Sequence, residues 1–197
     1  MSKPNQPQND TIQHMVQKIT QSGNPILRRV SKPIQKIDKK ILKLVQDLKD
    51  TLAVQKDPEG VGLAAPQIGI NLRAFAIDFK SLKRIVINPE VIEIKKSQST
   101  VHSSRSKKSE ILEGCLSLPH YYGPLTRDNY VKLKYQTLST VDGSLTTVIE
   151  EFKDFNAQIV LHEIDHLNGF MFVDRLLEQK KKLYKLDSND EWEEVEI

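Results

Sequence analysis

Residues 162–166 read His-Glu-Ile-Asp-His, and this segment restricts the fold more than any other part of the sequence. Four apolar residues recur around it at helical spacing: Phe155, Ile159, Val160 and Leu167. They predict a partly buried helix over about residues 155–168, with Asp154 as its N-cap and Gly169 at its C-terminal end. Histidines and acids on a buried helix are unfavourable unless other groups compensate them, so the rest of the fold must supply a partner.

The two histidines of this helix lie one turn apart. Positions i and i+4 share a face, so His162 and His166 can bind the same metal ion. Glu163 is about 100° around the helix from His162, where its carboxylate can reach a water molecule without binding the ion. Such a carboxylate takes a proton from the attacking water and returns it to the leaving nitrogen. The pattern therefore predicts a hydrolytic metal site.

A third protein ligand is expected, because catalytic metal sites usually combine three ligands with an open position. No histidine follows His166, but five glutamates do: Glu178, Glu191, Glu193, Glu194 and Glu196. Upstream, Cys115 offers a thiolate, which is a strong ligand for Fe(II) or Zn(II). A lone cysteine is also commonly a small buried apolar residue. On these grounds a glutamate and Cys115 both remain candidates.

A second helix is predicted nearer the N-terminus. Five apolar residues recur there at helical spacing: Ile41, Leu42, Val45, Leu48 and Leu52. Asp38 is placed as its N-cap, and the helix should end near Asp57-Pro58.

Five segments have the composition or alternation of β-strands: residues 73–79, 84–87, 91–94, 130–138 and 144–150. Asn88-Pro89 predicts a turn after the second, and Asp142-Gly143 predicts a hairpin turn between the last two. The Ser/Lys-rich segment 95–109 is expected to be an exposed loop. A helix, then strands, then a helix indicates an α+β fold.

Length and composition limit the classes that remain. The chain has 197 residues and a net charge of +3, which does not indicate a dedicated nucleic-acid-binding protein. No apolar run approaches the roughly 18 residues that cross a bilayer, so no membrane association is expected. A single cysteine suits a reducing cytoplasm. We predict a flexible extension over 1–13, one catalytic domain over 14–178 and a charged tail over 179–197.

Three segments carry a resemblance to a known family. GVGLAAPQ at residues 60–67, EGCLS at 113–117 and HEIDHLNG at 162–169 resemble, in order and spacing, the signature motifs of peptide deformylases. The resemblance extends over about residues 18–177. It implies antiparallel strands packed around a central metal-binding helix, with the first helix outside. It also implies removal of the N-terminal formyl group from nascent formyl-methionyl peptides in the cytoplasm, with transient ribosome association.

The resemblance implies a metal centre and a catalytic group. Cys115, His162 and His166 would bind one divalent metal ion, and Glu163 would be the acid–base catalyst. Deformylases characteristically use Fe(II), and preparations often carry nickel, cobalt or zinc. The family usually has Gln before the first histidine, where this chain has Leu161; that position is expected to point away from the metal.

The resemblance also implies a substrate-binding apparatus. The side chain of Gln67 and the backbone N–H of Leu116 would stabilise the oxyanion, a role that suits a tetrahedral intermediate. Backbone groups of Val61, Gly62 and Gly114 would pair with an extended peptide. Two alternatives remain: a zinc endopeptidase that uses the two histidines and a C-terminal glutamate, and a silent ribosome-associated relative.

Overall fold

The computed structural model describes residues 15–95, 112–139 and 144–196. The N-terminal extension, all but the first residue of the 95–109 loop, and the turn at 142–143 are predictions that fall outside these ranges. Within them, no helix is long and apolar enough to cross a membrane.

The described residues form three α-helices and nine strands, besides short 3-10 turns. In chain order these are α1 (Lys39–Ala53), β1 (Gly62–Ala64), β2 (Ala74–Phe79), β3 (Leu82–Lys95), β4 (Glu113–Cys115), β5 (Leu118–Gly123), β6 (Tyr130–Leu138), β7 (Leu145–Lys153), α2 (Asp154–Leu167), α3 (Phe172–Glu178), β8 (Leu183–Leu186) and β9 (Trp192–Val195). They build a five-stranded sheet in the order β1-β2-β3-β6-β7 and a four-stranded sheet in the order β4-β5-β8-β9. Every pair of neighbouring strands is antiparallel.

The larger sheet separates two apolar layers because side chains alternate along its strands. On β2, Phe75 and Ile77 belong to the layer that includes α2, whereas Ala74 and Ala76 belong to the layer that includes α1. The α+β prediction is therefore confirmed, as are the central helix and the outer position of α1. The Asp38 cap and the pairing of residues 130–138 with the following strand are confirmed too.

The predicted turn at Asn88-Pro89 is wrong, because β3 continues through it as one strand. The register with β6 shifts between Ile87 and Glu90, so the extra residues form a bulge. Asn88 takes a left-handed backbone conformation with φ 49°, and its side chain bonds both the N–H and the carbonyl of Ile34 at 2.8 Å. The Pro that breaks a regular ladder is tolerated at such a bulge.

Two helix boundaries also differ from the sequence prediction. Helix α1 ends at Ala53, before the predicted Asp57-Pro58. Helix α2 begins at Asp154, with Lys153 in the cap position and no side-chain cap bond. Asp154 instead donates its backbone N–H to the carbonyl of Asn129 at 2.8 Å, which joins the helix start to the residue before β6.

The smaller sheet was not predicted, and it includes two strands from the C-terminal segment. Strand β8 pairs with β5, and β9 pairs with β8. Phe172 and Leu176 of α3 pack with Leu183 of β8 in one apolar cluster. The division of the chain into an extension, one catalytic domain and a tail stays a prediction.

Asp38→Ala should lower the free energy of unfolding by about 1 kcal/mol, the usual effect of losing an N-cap. The Asp38 carboxylate accepts hydrogen bonds from the N–H groups of Lys40 at 2.9 Å and Ile41 at 3.1 Å, and alanine cannot replace them. Urea denaturation measures the change. Asp38→Asn is the control, because asparagine also caps helices; equal losses in both variants would contradict a capping role.

Candidate metal centre

Helix α2 presents both predicted histidines to one point. The Nε2 atoms of His162 and His166 lie 3.1 Å apart, and the two rings meet edge to face. Both side chains are buried, as the i and i+4 spacing on a packed helix requires.

Cys115 reaches the same point from the smaller sheet. The register of β4 against β5 shifts between Gly114 and Cys115, so the strand is irregular at the cysteine. The thiol sulfur lies 3.2 Å from Nε2 of His166. The three donor atoms of Cys115, His162 and His166 all lie within 4.8 Å of one another. One sulfur and two nitrogen donors in a buried cluster fit a divalent transition metal.

Glu113 supports His162 from the side opposite the cluster. Its Oε1 lies 2.7 Å from Nδ1 of His162, and its two oxygens accept hydrogen bonds from Arg127 at 2.6 and 2.7 Å. Burial alone would raise the pKa of the Glu113 carboxyl, but hydrogen bonds from Arg127 and His162 outweigh it and lower the pKa to about 2. An ionised Glu113 keeps the proton of His162 on Nδ1 and leaves Nε2 free to bind a metal.

Arg127 ties this carboxylate back to the same helix. Its Nη1 donates to Asp165 at 2.8 Å, and Asp165 also accepts from Arg175 at 2.7 Å. Burial would lower the pKa of Arg127, but the hydrogen bond and charge of Glu113 and the charge of Asp165 raise it. Arg127 is therefore a fixed cation, and only 9% of its side chain is exposed.

Sequence reasoning assigned no role to these supporting residues. Glu113 and Asp165 stand inside two of the quoted motifs, and an acid within two residues of a candidate metal ligand is the signal that could have identified them. Arg127 lies in a segment with no recognisable motif. Only the fold shows that it joins the two acids.

The two imidazoles differ in their affinity for protons. Burial opposes protonation of His162, but hydrogen bonds to Cys115 and Glu113 place its pKa well above the usual range. The pKa of His166 lies well below that range, because it is buried and the charge of His162 is adjacent. Binding of a metal cation at their meeting point would require the Nε2 atoms of both imidazoles to be unprotonated.

Glu163 lies beside the cluster on the cleft side of α2. A Cβ added at Gly62 would overlap with the Glu163 carboxylate, so this close approach requires glycine. Oε2 of Glu163 is buried and has no hydrogen-bond partner among the described residues. Burial raises the pKa of Glu163 to about 7, although the charge of His162 acts in the opposite direction.

Gln67 approaches the cluster from a 3-10 helix over Ala65–Ile68. Its Oε1 accepts the N–H of Ala64 at 2.8 Å, which fixes the orientation of the amide. Its Nε2 lies 3.2 Å from the hydroxyl of Ser117 and 3.5 Å from the sulfur of Cys115. The amide N–H group therefore faces the donor cluster. Leu116 lines the same cleft.

The cleft beside the cluster has a volume of about 200 Å³. Val61 and Gly62 line it on one side, Gly114 on another, and His162 and Glu163 from α2. Among the described strands, β1 is an edge strand of the larger sheet and β4 is an edge strand of the smaller one. The structure thus gathers all nine sequence-predicted site residues in or beside one cleft.

Leu161 lies on another side of α2. It packs against the apolar layer between α2 and the larger sheet, and it lines a separate cavity with Ile164 and Asn168. The position therefore points away from the donor cluster, as the sequence predicted.

Comparisons with known proteins agree with this geometry. The sequence profile of the polypeptide deformylase family matches residues 16–182. Peptide deformylase 1 of Clostridium acetobutylicum is 36% identical over 165 residues, which covers 84% of this chain and 97% of that protein. Peptide deformylase of Pseudothermotoga lettingae is 37% identical over 161 residues, covering 81% of this chain and 82% of that protein.

Solved structures show the same fold. The crystal structure of peptide deformylase from Thermotoga maritima has a TM-score of 0.67 at 36% identity and covers 82% of this chain and 98% of that chain. A Met-Ala-Ser-bound deformylase from Acinetobacter baumannii has a TM-score of 0.67 at 29% identity, covering 82% and 99%. The chain therefore belongs to the polypeptide deformylase family, metal-dependent hydrolases that remove the formyl group from the N-terminal formyl-methionine of newly synthesised polypeptides.

Proposed function

We propose that Cys115, His162 and His166 bind one divalent metal ion, beside which Glu163 catalyses deformylation. The observation that carries this proposal is the convergence of a buried thiol and two imidazole nitrogens within 4.8 Å. Glu113 supports it, because metal-binding histidines usually donate their other ring N–H to a carboxylate or a carbonyl. From the family resemblance we propose Fe(II) as the native metal, with nickel, cobalt or zinc acceptable in purified protein.

Glu163 is proposed to move the proton that hydrolysis requires. When bound, the metal supplies Lewis-acid chemistry that makes water more acidic and the formyl carbonyl more electrophilic. Glu163 takes a proton from water as the water oxygen bonds to the formyl carbon. It then gives a proton to the methionine nitrogen as the carbon–nitrogen bond breaks and formate leaves. The buried and unpartnered Oε2 of Glu163 is available for both transfers.

Gln67 and Leu116 are proposed to stabilise the negative charge that develops on the formyl oxygen. The bond from the Ala64 N–H to Oε1 of Gln67 directs its Nε2 towards the cluster. A donor held in place before the reaction stabilises such charge without reorganising. The backbone N–H of Leu116 is proposed as the second donor.

The peptide is proposed to bind as an added strand. Among the described strands, the edge strands β1 and β4 both border the cleft, so backbone groups of Val61, Gly62 and Gly114 can pair with an extended chain. Recognition through the backbone suits nascent peptides that differ after the first methionine. For this substrate we propose a cytoplasmic location and transient association with ribosomes.

The endopeptidase alternative is disfavoured by the donor set. Cys115 supplies the third donor atom of the cluster, whereas the C-terminal Glu178 forms an ion pair with Arg175. The silent-relative alternative is disfavoured by the presence of the complete donor set together with Glu163.

Formyl-Met-Ala-Ser should be hydrolysed. The acetylated peptide should react at least about 100-fold more slowly, which corresponds to a barrier about 2.7 kcal/mol higher. The acetyl methyl group must fit where the formyl hydrogen lies, and it also makes the carbonyl less electrophilic. Formate release and free amine formation measure both rates. Casein, incubated in parallel, should remain intact; comparable acetyl hydrolysis or casein cleavage would refute the deformylase assignment.

Cys115→Ala should lose most of its bound metal, because two imidazoles bind far more weakly than two imidazoles with a thiolate. Elemental analysis of anaerobically purified protein measures the metal content per chain. Glu178→Ala is the matched control, since Glu178 is a ligand only under the endopeptidase alternative. Full metal content in Cys115→Ala, or loss in Glu178→Ala, would overturn the proposed ligand set.

Glu163→Gln should lower kcat about 10⁴-fold, which is the upper end of the rate enhancement that general acid–base catalysis contributes. Glutamine preserves the shape of the side chain but cannot accept the proton of water. We expect KM and metal content to change little, so the variant should lose turnover rather than binding. Glu90→Gln, at an exposed acid on β3, is the control. A fully metallated Glu163→Gln protein with wild-type kcat would exclude this mechanism.

A further inference from the structure

The C-terminal hairpin extends the sheet that borders the cleft. Strands β8 and β9 lie beyond residue 182, where the match to the family profile ends. Tyr122 of β5 pairs with Tyr184 of β8, and Leu186 of β8 pairs with Trp192 of β9. A single sheet therefore runs from the cleft edge at β4 to the C-terminal segment of this chain.

Tyr122 connects this sheet to the cleft. Its side chain lines the cleft, and a Cβ added at Gly114 would come within 2.6 Å of two of its ring atoms. The ring therefore lies directly against the backbone of Gly114. Gly114 precedes Cys115 and belongs to the strand edge at which the peptide is proposed to bind. The position of the Tyr122 ring thus limits where that edge and the cleft wall can lie.

Trp192 contacts Tyr122 from the C-terminal hairpin. The two ring centroids are 5.5 Å apart, with an angle of 74° between the planes, which is the favoured edge-to-face arrangement. Trp192 is the only tryptophan of the chain, and it is 51% exposed on an edge strand. About half of the Trp192 side chain is therefore buried, and the aromatic ring that it contacts belongs to a residue of the cleft wall.

We propose that Trp192 is a positioning residue for peptide binding, which holds the Tyr122 ring against Gly114 and so sets the wall of the peptide cleft. This inference rests on the proposed function, because it takes the cleft to be the peptide site. Trp192 belongs neither to the donor cluster nor to the lining of the cleft. It acts on the binding of the peptide, and the proton transfers of Glu163 do not depend on it.

The test compares KM with kcat for formyl-Met-Ala-Ser in the fully metallated enzyme. Trp192→Ala should raise KM about three- to tenfold, the range that corresponds to one aromatic pair, with kcat and metal content unchanged. Trp192→Phe should keep KM close to the wild-type value, because a phenyl ring can keep the edge-to-face contact. Glu193→Ala, at the next and exposed residue of β9, is the matched control and should leave KM unchanged. If Trp192→Ala fails to fold, Trp192→Leu gives the same comparison.

A double-mutant cycle identifies the route of the effect. In Tyr122→Leu, KM should already be raised, and adding Trp192→Ala should raise it no further, since the contact is already lost. An unchanged KM in Trp192→Ala, equal losses of kcat and metal, or additive effects in the cycle would overturn the inference. Wild-type enzyme is assayed alongside. Its failure to release formate would refute the proposed function instead.

Discussion

The candidate metal centre depends on the burial of the Glu113 carboxylate between His162 and Arg127. A buried carboxylate without partners is strongly unfavourable, and removing one partner of such a pair typically destabilises a protein by about 3–5 kcal/mol. Here the partners come from different elements, so the interaction holds β4, α2 and the segment before β6 in one arrangement. Arg127 also forms an ion pair with Asp165 of α2, so it connects the Glu113 carboxylate to the helix turn that carries the two histidines. The ring orientation of His162 follows from this network.

Two sheets are needed because the proposed metal ligands and the strand edges proposed to bind the peptide come from both. The larger sheet buries α2 on one face and α1 on the other, which places the histidines at the end of an apolar layer. It also supplies the short edge strand β1. The smaller sheet supplies Cys115 and the edge strand β4. The cleft exists where these two edges approach α2, and neither sheet forms it alone.

The sequence predicted the parts of the fold that follow from local patterns. The N-cap at Asp38 and the shared face of His162 and His166 follow from patterns within one or two helical turns, and the structure confirms the cap and the convergence of the two imidazoles. The continuous β3 strand was missed because its bulge depends on Asn88 bonding to Ile34, 54 residues away in sequence. The C-terminal hairpin was missed because its short, charged strands have little apolar alternation and are ordered by pairing with β5. The role of Arg127 depends on long-range contacts alone.

The proposed ligands of the cluster are distant in sequence, and Cys115 and His166 are separated by 51 positions. Coordination of one ion by both residues would close a chain loop of that length, as a cross-link does. In the chain-entropy treatment of cross-links, closing a loop of about 50 residues stabilises the native state by about 4 kcal/mol. The ion would thus join the smaller sheet to α2 mechanically as well as serve catalysis. If the three residues bind the ion as proposed, metal binding and the stability of the native fold would be one linked equilibrium, because an ion that binds the folded chain preferentially stabilises it.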